Sequence, residues 1–457
     1  MADVVTREAK RPRTEAEEVP AEDEVPLWEQ DPAAYVKAQD VIRLRFVPSK
    51  QDAREGHTFA PEYVHQMLGK EALALPEAER PLMIHVLYAE SSLELFLTCD
   101  RKMTGAVEET MYKLASALPA MCATQDALLE AALRPSIDTS ALGDVVKTYT
   151  PRDSITANSS EYEVRCGALH DSAARASFNE RLQSVLRFFI ENHSPIDAAD
   201  ERWRLFTLFE RRGDGTCAFV GAATVFAFQR WVAKAEAAAA GTTAGPKLLL
   251  RVCQILVLPP WQGGGHGAQL LNSIYEYAKT HDALEVSVED PSPQCRLLRD
   301  LTDARNAQRL GLLVPTPVGA PVSAAELKRA KAAMRTTDEQ LHRCYEVKTY
   351  VQLLGEMSGM AEGSAEREAK EKPYRLALKR RLNKKHEEDL AALDLPPADA
   401  DQQPPPSALD PPPPKPKPTP NVEARKAKLE ELYKELIAEY SVLAKRLMPP
   451  ADPLPAQ

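Results

Sequence analysis

Two short stretches hold the residues whose types and spacing could do chemistry. The first is Gln262-Gly263-Gly264-Gly265-His266-Gly267. Its clustered glycines let the backbone take positive φ and let a ligand come close to the main chain. The turn lies between an apolar run, Val252 to Leu258, and a segment from Ala268 in which Leu270, Leu271, Ile274 and Tyr277 recur at helical spacing. A glycine-rich loop that opens a helix offers unbonded N–H groups and the positive end of a helix dipole, the chemistry of a phosphate site. The same composition also serves a plain chain reversal. No Lys-Ser or Lys-Thr follows, which excludes a Walker A loop, and the spaced acid of a GxGxxG dinucleotide turn is missing. His266 sits inside the loop, where its backbone N–H matters more than its ring, although imidazole titrates near neutrality.

The second stretch is Glu289-Asp290. Over Ala283 to Glu289, the residues Leu284, Val286 and Val288 alternate with Glu285, Ser287 and Glu289, the pattern of a strand with its acids on one face. A carboxylate at the tip of a core strand suits general-base work on an amine. Free lysine has a pKa of about 10.4, so little of it is neutral at pH 7 without help. A strand end capped by solvated acids would read the same way. Glu191, which closes an apolar stripe, is a third acid able to approach.

These groups need elements to hold them. Val252 to Leu258 reads as a strand buried on both faces, stopped by Pro259 and Pro260, which cannot continue a ladder. Before it, Ala173 to Asn192 carries Phe178, Leu182, Val185, Leu186, Phe189 and Ile190 as the stripe of an amphipathic helix. Glu201 to Glu210 and Ala218 to Phe228 read as strands joined by the turn Arg212 to Gly215, with an Ala/Gly/Thr-rich excursion from Trp231 to Pro246. Upstream, Val41 to Val47 reads as a strand, Met83 to Tyr88 and Leu93 to Cys99 as a hairpin, and Thr110 to Leu118 and Ala127 to Leu133 as helices. Downstream, Gln294 to Leu310, Ala324 to Met334 and Asp338 to Leu354 read as helices, and Tyr374 to Leu382 is basic. A Pro-rich stretch predicts an extended spacer or an SH3-type ligand. Leu429, Leu432, Leu436, Tyr440, Leu443 and Leu447 then mark a final helix that must dock on the body or on a partner.

The Gln-x-x-Gly-x-Gly turn between an apolar strand and an amphipathic helix resembles the pyrophosphate loop of the GNAT acetyltransferase superfamily. QGGGHGAQLL, the strand ending Glu289-Asp290-Pro291-Ser292, ADERW at Ala199 to Trp203 and FAPEYVHQ at Phe59 to Gln66 together resemble the type B histone acetyltransferase catalytic subunits, over roughly residues 30 to 385. The resemblance implies an α+β fold: a mixed-sheet GNAT domain, an α+β N-terminal domain and a helical C-terminal part. The expected divisions are an acidic tail at 1–25, the N-terminal histone- and partner-binding domain at 26–165 and the acetyltransferase domain at 166–320. A helical region at 321–394, the Pro-rich linker at 395–421 and the last helix with its tail at 422–457 follow. Acetyl-CoA is the implied co-substrate, held by Gln262, Gly263, Gly264, Gly265, His266, Gly267 and Ala268. Ile255, Leu256 and Val257 would line the pantetheine arm, and an amide near Ile255 or Leu256 would face the thioester oxygen. Glu289 is the implied base, with Asp290 and Glu191 in support. Phe226, Ala227 and Phe228 match the segment lining the histone tail, where they also fit a core role. Glu71 is what remains of an acidic contact after the glycine at 69.

By the same resemblance the substrate is the tail of newly made histone H4, together with histone H3, and the partner is a WD40-repeat histone chaperone, in nucleus and cytoplasm. A small-amine acetyltransferase and a non-catalytic histone scaffold are the rival readings. The bulk numbers agree with a multidomain globular chain: 457 residues, 44% hydrophobic and 27% charged. A net charge of −10 argues against direct nucleic-acid binding and suits a basic partner, or simply solubility. Seven cysteines without a CxxC pair predict reduced thiols, no metal-ligand spacing occurs, and no run is long enough to span a membrane. Lys10 to Arg13 is either a nuclear import signal or a solvated charge run.

Overall fold

The computed structural model describes residues 25–48, 57–70, 72–74, 82–100, 105–133, 138–151, 160–235, 237, 243–315, 317–393 and 421–448. Glu71, the basic cluster Lys10 to Arg13, the acidic tail up to residue 24 and the Pro-rich linker up to residue 420 lie outside them. The chain forms two units. One comprises the residues up to Arg134 together with Glu180–Ile196, the other Pro135–Asn179 together with Asp197 onward.

In the first unit a two-stranded ribbon joins β1 (Tyr35–Lys37) to β4 (Ala72–Ala74). A four-stranded sheet has β2 (Ile42–Val47) and β5 (Ile84–Ala89) as parallel neighbours at its centre. β3 (His57–Phe59) and β6 (Leu95–Cys99) lie outside them, each antiparallel to its neighbour. The expected hairpin is the β5–β6 pair. The helices are α1 (Ala106–Ala117) and α2 (Gln125–Leu133). α2 lays Leu128 and Ala132 against Val47, Leu87 and Ala89. Phe46 stacks between Phe59 and Tyr88 at 5.5 and 5.2 Å.

The second unit is built on a six-stranded sheet in the order β12-β11-β10-β9-β8-β7. Its strands are β7 (Asp144–Tyr149), β8 (Glu161–Ala168), β9 (Trp203–Arg211), β10 (Cys217–Val232), β11 (Gly245–Val257) and β12 (Glu285–Val288). All pairs are antiparallel except β11–β12. β7 and most of β8 precede residue 166. They complete this sheet rather than the N-terminal domain, so the first boundary falls at Arg134 instead of 165. β7 and β8 are separated in sequence from the strands they extend, and no local pattern signals that pairing.

Helix α3 runs from Ala173 to Leu186, shorter than the apolar stripe suggested. Its last residues give way to tight turns, in which the amides of Phe188 and Phe189 reach the carbonyls of Val185 and Leu186. Turns of this kind keep Phe189 inside while ending the helix. Within the second unit, Phe178 of α3 meets Phe209 and Phe219. Tyr277 of α4 (His266–Thr280) meets Phe206 edge-on at 5.5 Å. Phe206 and Phe209 point to opposite faces of β9, so α3 and α4 pack on opposite sides of the sheet.

Beyond the sheet come α5 (Pro293–Arg309), α6 (Ala324–Met334), α7 (Asp338–Glu356), α8 (Ala365–Lys385) and α9 (Val422–Leu447). The last helix docks on the body. Tyr433, Leu436, Tyr440 and Leu443 share one core with Leu353, Tyr374, Leu378 and Leu382. The buried Tyr440 hydroxyl donates to Glu346 at 2.7 Å. A lone helix of this kind is marginal in water, and the buried tyrosines account for its order. Among the described residues no helix is long and apolar enough to cross a membrane.

Removing Tyr440 should therefore matter. Tyr440→Ala is expected to cost about 3–5 kcal/mol in urea unfolding, and Tyr440→Phe only about 1 kcal/mol. In the first unit, burial and the Arg187 charge push the His193 imidazole down to about 4. As pH falls, the unfolded chain takes up that proton first, so this contribution to stability is whole above about pH 6.5 and is lost toward pH 4. Unfolding of the first unit between pH 4 and 7 should show this slope, and His193→Gln should flatten it.

Candidate active site

The glycine turn is built from the strand outward. After β11 the Leu258 amide still bonds the Val220 carbonyl at 2.9 Å, and Pro259–Trp261 form one 3-10 turn. The Gln262 side-chain amide turns back to the Val257 carbonyl at 2.9 Å and ties the loop to its strand. Gly263 (φ 82°) and Gly265 (φ 81°) adopt the left-handed conformation that side chains avoid. Nothing lies within 4 Å of where their Cβ atoms would stand, so the space above them is open. Gly265 is the residue from which α4 starts. Among the described residues, the amides of Gly263 to Ala268 have no acceptor. Unbonded amides at a helix N-terminus, facing open space, fit a diphosphate.

His266 has a different part from a catalytic one. Its ring is 5% exposed, its Nδ1 lies 2.7 Å from the Tyr149 hydroxyl, and it packs 4.4 Å from the Tyr162 ring. Burial lowers its pKa. The ring is a post that fixes the loop to β7 and β8. Gly264 has the complementary requirement, because a Cβ there would stand 2.9 Å from His266 Nε2.

β11 and β12 run in parallel register from Leu249↔Glu285 to Val252↔Val288, and the Glu289 amide makes a last bond to the Val252 carbonyl at 2.9 Å. From there the strands part. Through Val257, β11 pairs with β10 alone, and the register shift opposite Thr224/Val225 leaves Cys253 as a bulge. Bulges bend a strand and increase its twist, which turns β11 away from β12. Ile255, Leu256 and Val257 are consequently half-buried, where burial on both faces was expected. They form the edge of β11 that β12 no longer covers, and the chain runs on from them into the glycine turn.

Glu289 stands where the strands separate, with an exposed side chain. Arg251 Nη1 is 3.6 Å from its Oε1, and the guanidinium lies over the Phe228 ring at 5.3 Å. The Cys253 thiol is pushed up to about 12, first by burial and then by the neighbouring Glu289 carboxylate. Asp290 is exposed and takes the left-handed conformation (φ 32°). Phe226, Ala227 and Phe228 are half-buried, not core. Phe226 meets Trp203 at 4.9 Å and carries the Arg202 guanidinium at 4.6 Å. Trp203, Phe226 and Arg251 are register partners, so they share one face of the sheet.

Glu191 belongs to the first unit, whereas Glu289 and Asp290 belong to the second. In that first unit, FAPEYVHQ holds the turn bearing Glu191. The amides of Glu62 and Tyr63 bond the Phe188 carbonyl at 2.9 and 3.0 Å. The Gln66 side chain donates to the carbonyls of Arg187 and Ile190 and accepts from the His193 amide at 2.8 Å. Burial, then the charge of the exposed Glu191, raises the pKa of Tyr63.

Sequence reasoning missed Arg251, Cys253, Tyr149 and Tyr162. Arg251 and Cys253 flank Val252 on the same strand, and their two-residue spacing was readable. Which acid they would meet was not. A cavity of about 600 Å³ elsewhere in this unit, lined by Arg175, Arg204 and Tyr277 among others, includes neither the glycine turn nor Glu289. Size alone does not locate chemistry.

The post and the acid are separable by experiment. His266→Ala should weaken CoA binding by about ten-fold, roughly 1.4 kcal/mol by calorimetry. It should leave kcat at saturating acetyl-CoA within a few-fold. A collapse of kcat with CoA affinity intact would instead make His266 an acid or base.

The family described as "Histone acetyl transferase HAT1 N-terminus" matches residues 34–191. The chain is 26% identical over 430 residues to the histone acetyltransferase type B catalytic subunit of Homo sapiens, covering 89% of this chain and 92% of that protein. It is 27% identical over 425 residues to the Mus musculus subunit, with the same coverage. One Dictyostelium discoideum subunit is 32% identical over 173 residues, covering 36% of this chain and 34% of that one. With nearly whole-length likeness of this kind and a glycine turn whose amides are open, the chain is similar throughout to the type B histone acetyltransferase catalytic subunits and is an acetyl-CoA-dependent acyltransferase.

Proposed function

We propose that the protein acetylates the ε-amine of lysine in the tail of free, newly synthesised histone H4, with Glu289 as general base. The observation that carries this reading is the acid at the parting of β11 and β12, from which β11 alone runs on into the glycine turn with its unbonded amides. Acetyl-CoA, when bound, supplies the acetyl group as a thioester. Gly263 to Gly267 and the start of α4 grip the diphosphate, and the free edge of Ile255, Leu256 and Val257 takes the pantetheine arm. An amide near Ile255 or Leu256 faces the thioester oxygen and stabilises the charge that develops there. Glu289 accepts the proton of the lysine ammonium at a carboxylate oxygen, freeing the nitrogen lone pair to attack the acetyl carbon; the C–S bond then breaks, CoA leaves as its thiolate and takes up a proton, and the new amide nitrogen gives up its second proton to solvent.

Phe226, Ala227 and Phe228 offer a half-buried apolar face for the lysine stem. Asp290 adds negative charge beside the base and favours a cationic substrate. Glu191 is assigned its supporting role, and Glu71 its contact with the tail, on resemblance alone. By the same resemblance histone H3 accompanies H4, a WD40-repeat histone chaperone is the partner, and the protein works in cytoplasm and nucleus.

Mass spectrometry of core histones incubated with the protein and acetyl-CoA is expected to find acetyl groups on H4 tail lysines. Glu289→Gln should lower kcat by roughly 10²- to 10⁴-fold, the usual worth of a positioned base. Turnover of spermine or an arylamine without histone would favour a small-amine enzyme. Acetyl-CoA binding with no turnover on any amine would make the protein a scaffold.

A further inference from the structure

The acid proposed as base does not stand alone, and three consecutive residues of β11 converge on it. The Val252 carbonyl accepts the Glu289 amide at 2.9 Å and fixes the main chain. The Cys253 thiol donates to the Arg251 carbonyl at 3.5 Å and stands close enough to the carboxylate for it to raise the thiol pKa, and the bulge falls at that residue. Arg251 Nη1 lies 3.6 Å from Oε1. Arg251 is itself braced, since its guanidinium lies over the Phe228 ring at 5.3 Å. Arg251 and Glu289 are both nearly half exposed, so this pair adds little to folding stability. An exposed ion pair of small structural worth, braced by an aromatic ring where the strands part, is better explained by what it does to the acid.

We propose that Arg251 is a positioning residue for acetyl transfer, holding the Glu289 carboxylate at the parting of the strands with Phe228 as its brace. The assignment rests on Glu289 being the base. A carboxylate on the residue just past a four-residue strand, followed by a left-handed Asp290 and then Pro291, has freedom to swing into solvent. Arg251 removes that freedom by charge. An arginine suits the task because its planar guanidinium can stack on a ring while pairing with an acid. Phe228 then does more than line the lysine stem: it fixes where the guanidinium lies. The arginine also presents a cation to the acid, so the arriving lysine ammonium meets a carboxylate already oriented toward positive charge.

The test uses the full chain with a histone H4 tail peptide. Arg251→Gln is expected to lower kcat by roughly 10- to 100-fold, the range that misplacement of a reacting group can cost. KM for acetyl-CoA should stay unchanged, as should CoA affinity by calorimetry. Arg251→Lys, which keeps the charge but loses the planar stack on Phe228, should recover only part of that loss, about three-fold above Arg251→Gln. In a Glu289→Gln background, Arg251→Gln should cause no further loss, because the group it positions is already gone. Wild-type kcat in Arg251→Gln would overturn the proposal. So would a fall in CoA affinity, which would place the effect on the cleft, or an equal loss in both backgrounds. Full activity of Glu289→Gln alone would instead remove the base assignment, a result independent of the arginine variants.

Discussion

The site depends on one constraint: two parallel strands that pair for four residues and then cannot continue. β12 stops because Asp290 takes a left-handed conformation and Pro291 has no N–H to give a ladder. β11 goes on because β10 still holds its other edge as far as Val257. The bulge at Cys253 increases the twist just where the two strands lose register. A β-edge without a partner is ordinarily a liability, because unpaired amides and carbonyls invite association. Here the liability is confined to the short run after Val252, on the edge that β12 no longer covers. The backbone groups that a pantetheine arm requires are thus the ones the sheet leaves unmatched.

The glycine turn obeys a second requirement, which works against the first. Amides open to a ligand need a backbone free of side chains, yet a run of glycines is loose, and looseness would squander binding energy on ordering the loop. The structure settles this with two anchors taken from either end of the turn. Gln262 ties the entry back to Val257. His266 sinks its ring between Tyr149 and Tyr162 at the exit. Gly264 is small because the post stands directly beneath it, while Gly263 and Gly265 are glycine for their left-handed backbone. Adjacent glycines therefore have distinct physical reasons, and His266, the one titratable side chain in the loop, is used for its shape.

What could be read from the sequence follows the range of the interaction. The strand-turn-helix around the glycines and the alternation ending at Glu289 are local patterns, and both formed as expected. So did the hairpin of β5 and β6, and the final helix with its tyrosine and leucine stripe. Apart from the early end of α3 in local turns, the departures are long-range. β7 and β8 fall before the anticipated boundary yet belong to the central sheet, since strands pair with whatever the tertiary fold brings beside them. The half-burial of Ile255 to Val257 contradicts their apolar run, because composition cannot tell a strand between two neighbours from one whose neighbour has ended. His266 and Tyr149 meet across 117 residues, and no periodicity links them. Arg251 meets the acid only through tertiary pairing, because the parallel register sets it beside Ser287, two residues before Glu289 on the same face.

The three candidate acids are held by different means, and this bears on how they can act. Glu191 rides on a turn clamped by backbone and amide bonds from Glu62, Tyr63 and Gln66, neutral groups that fix a loop without adding charge. Glu289 is held by one main-chain bond and by side chains of a single strand, among them an arginine. Asp290 is fixed by its own strained backbone. A neutral clamp leaves the field at its acid to be set by whatever approaches, whereas a cationic brace commits its carboxylate beforehand to an orientation in which positive charge is met. Preorganisation of that kind is most useful at the group that must take a proton, because reorienting it during the reaction would add to the barrier. The distribution of restraints, and not acidity alone, is what supports the proposal of Glu289 over the other two.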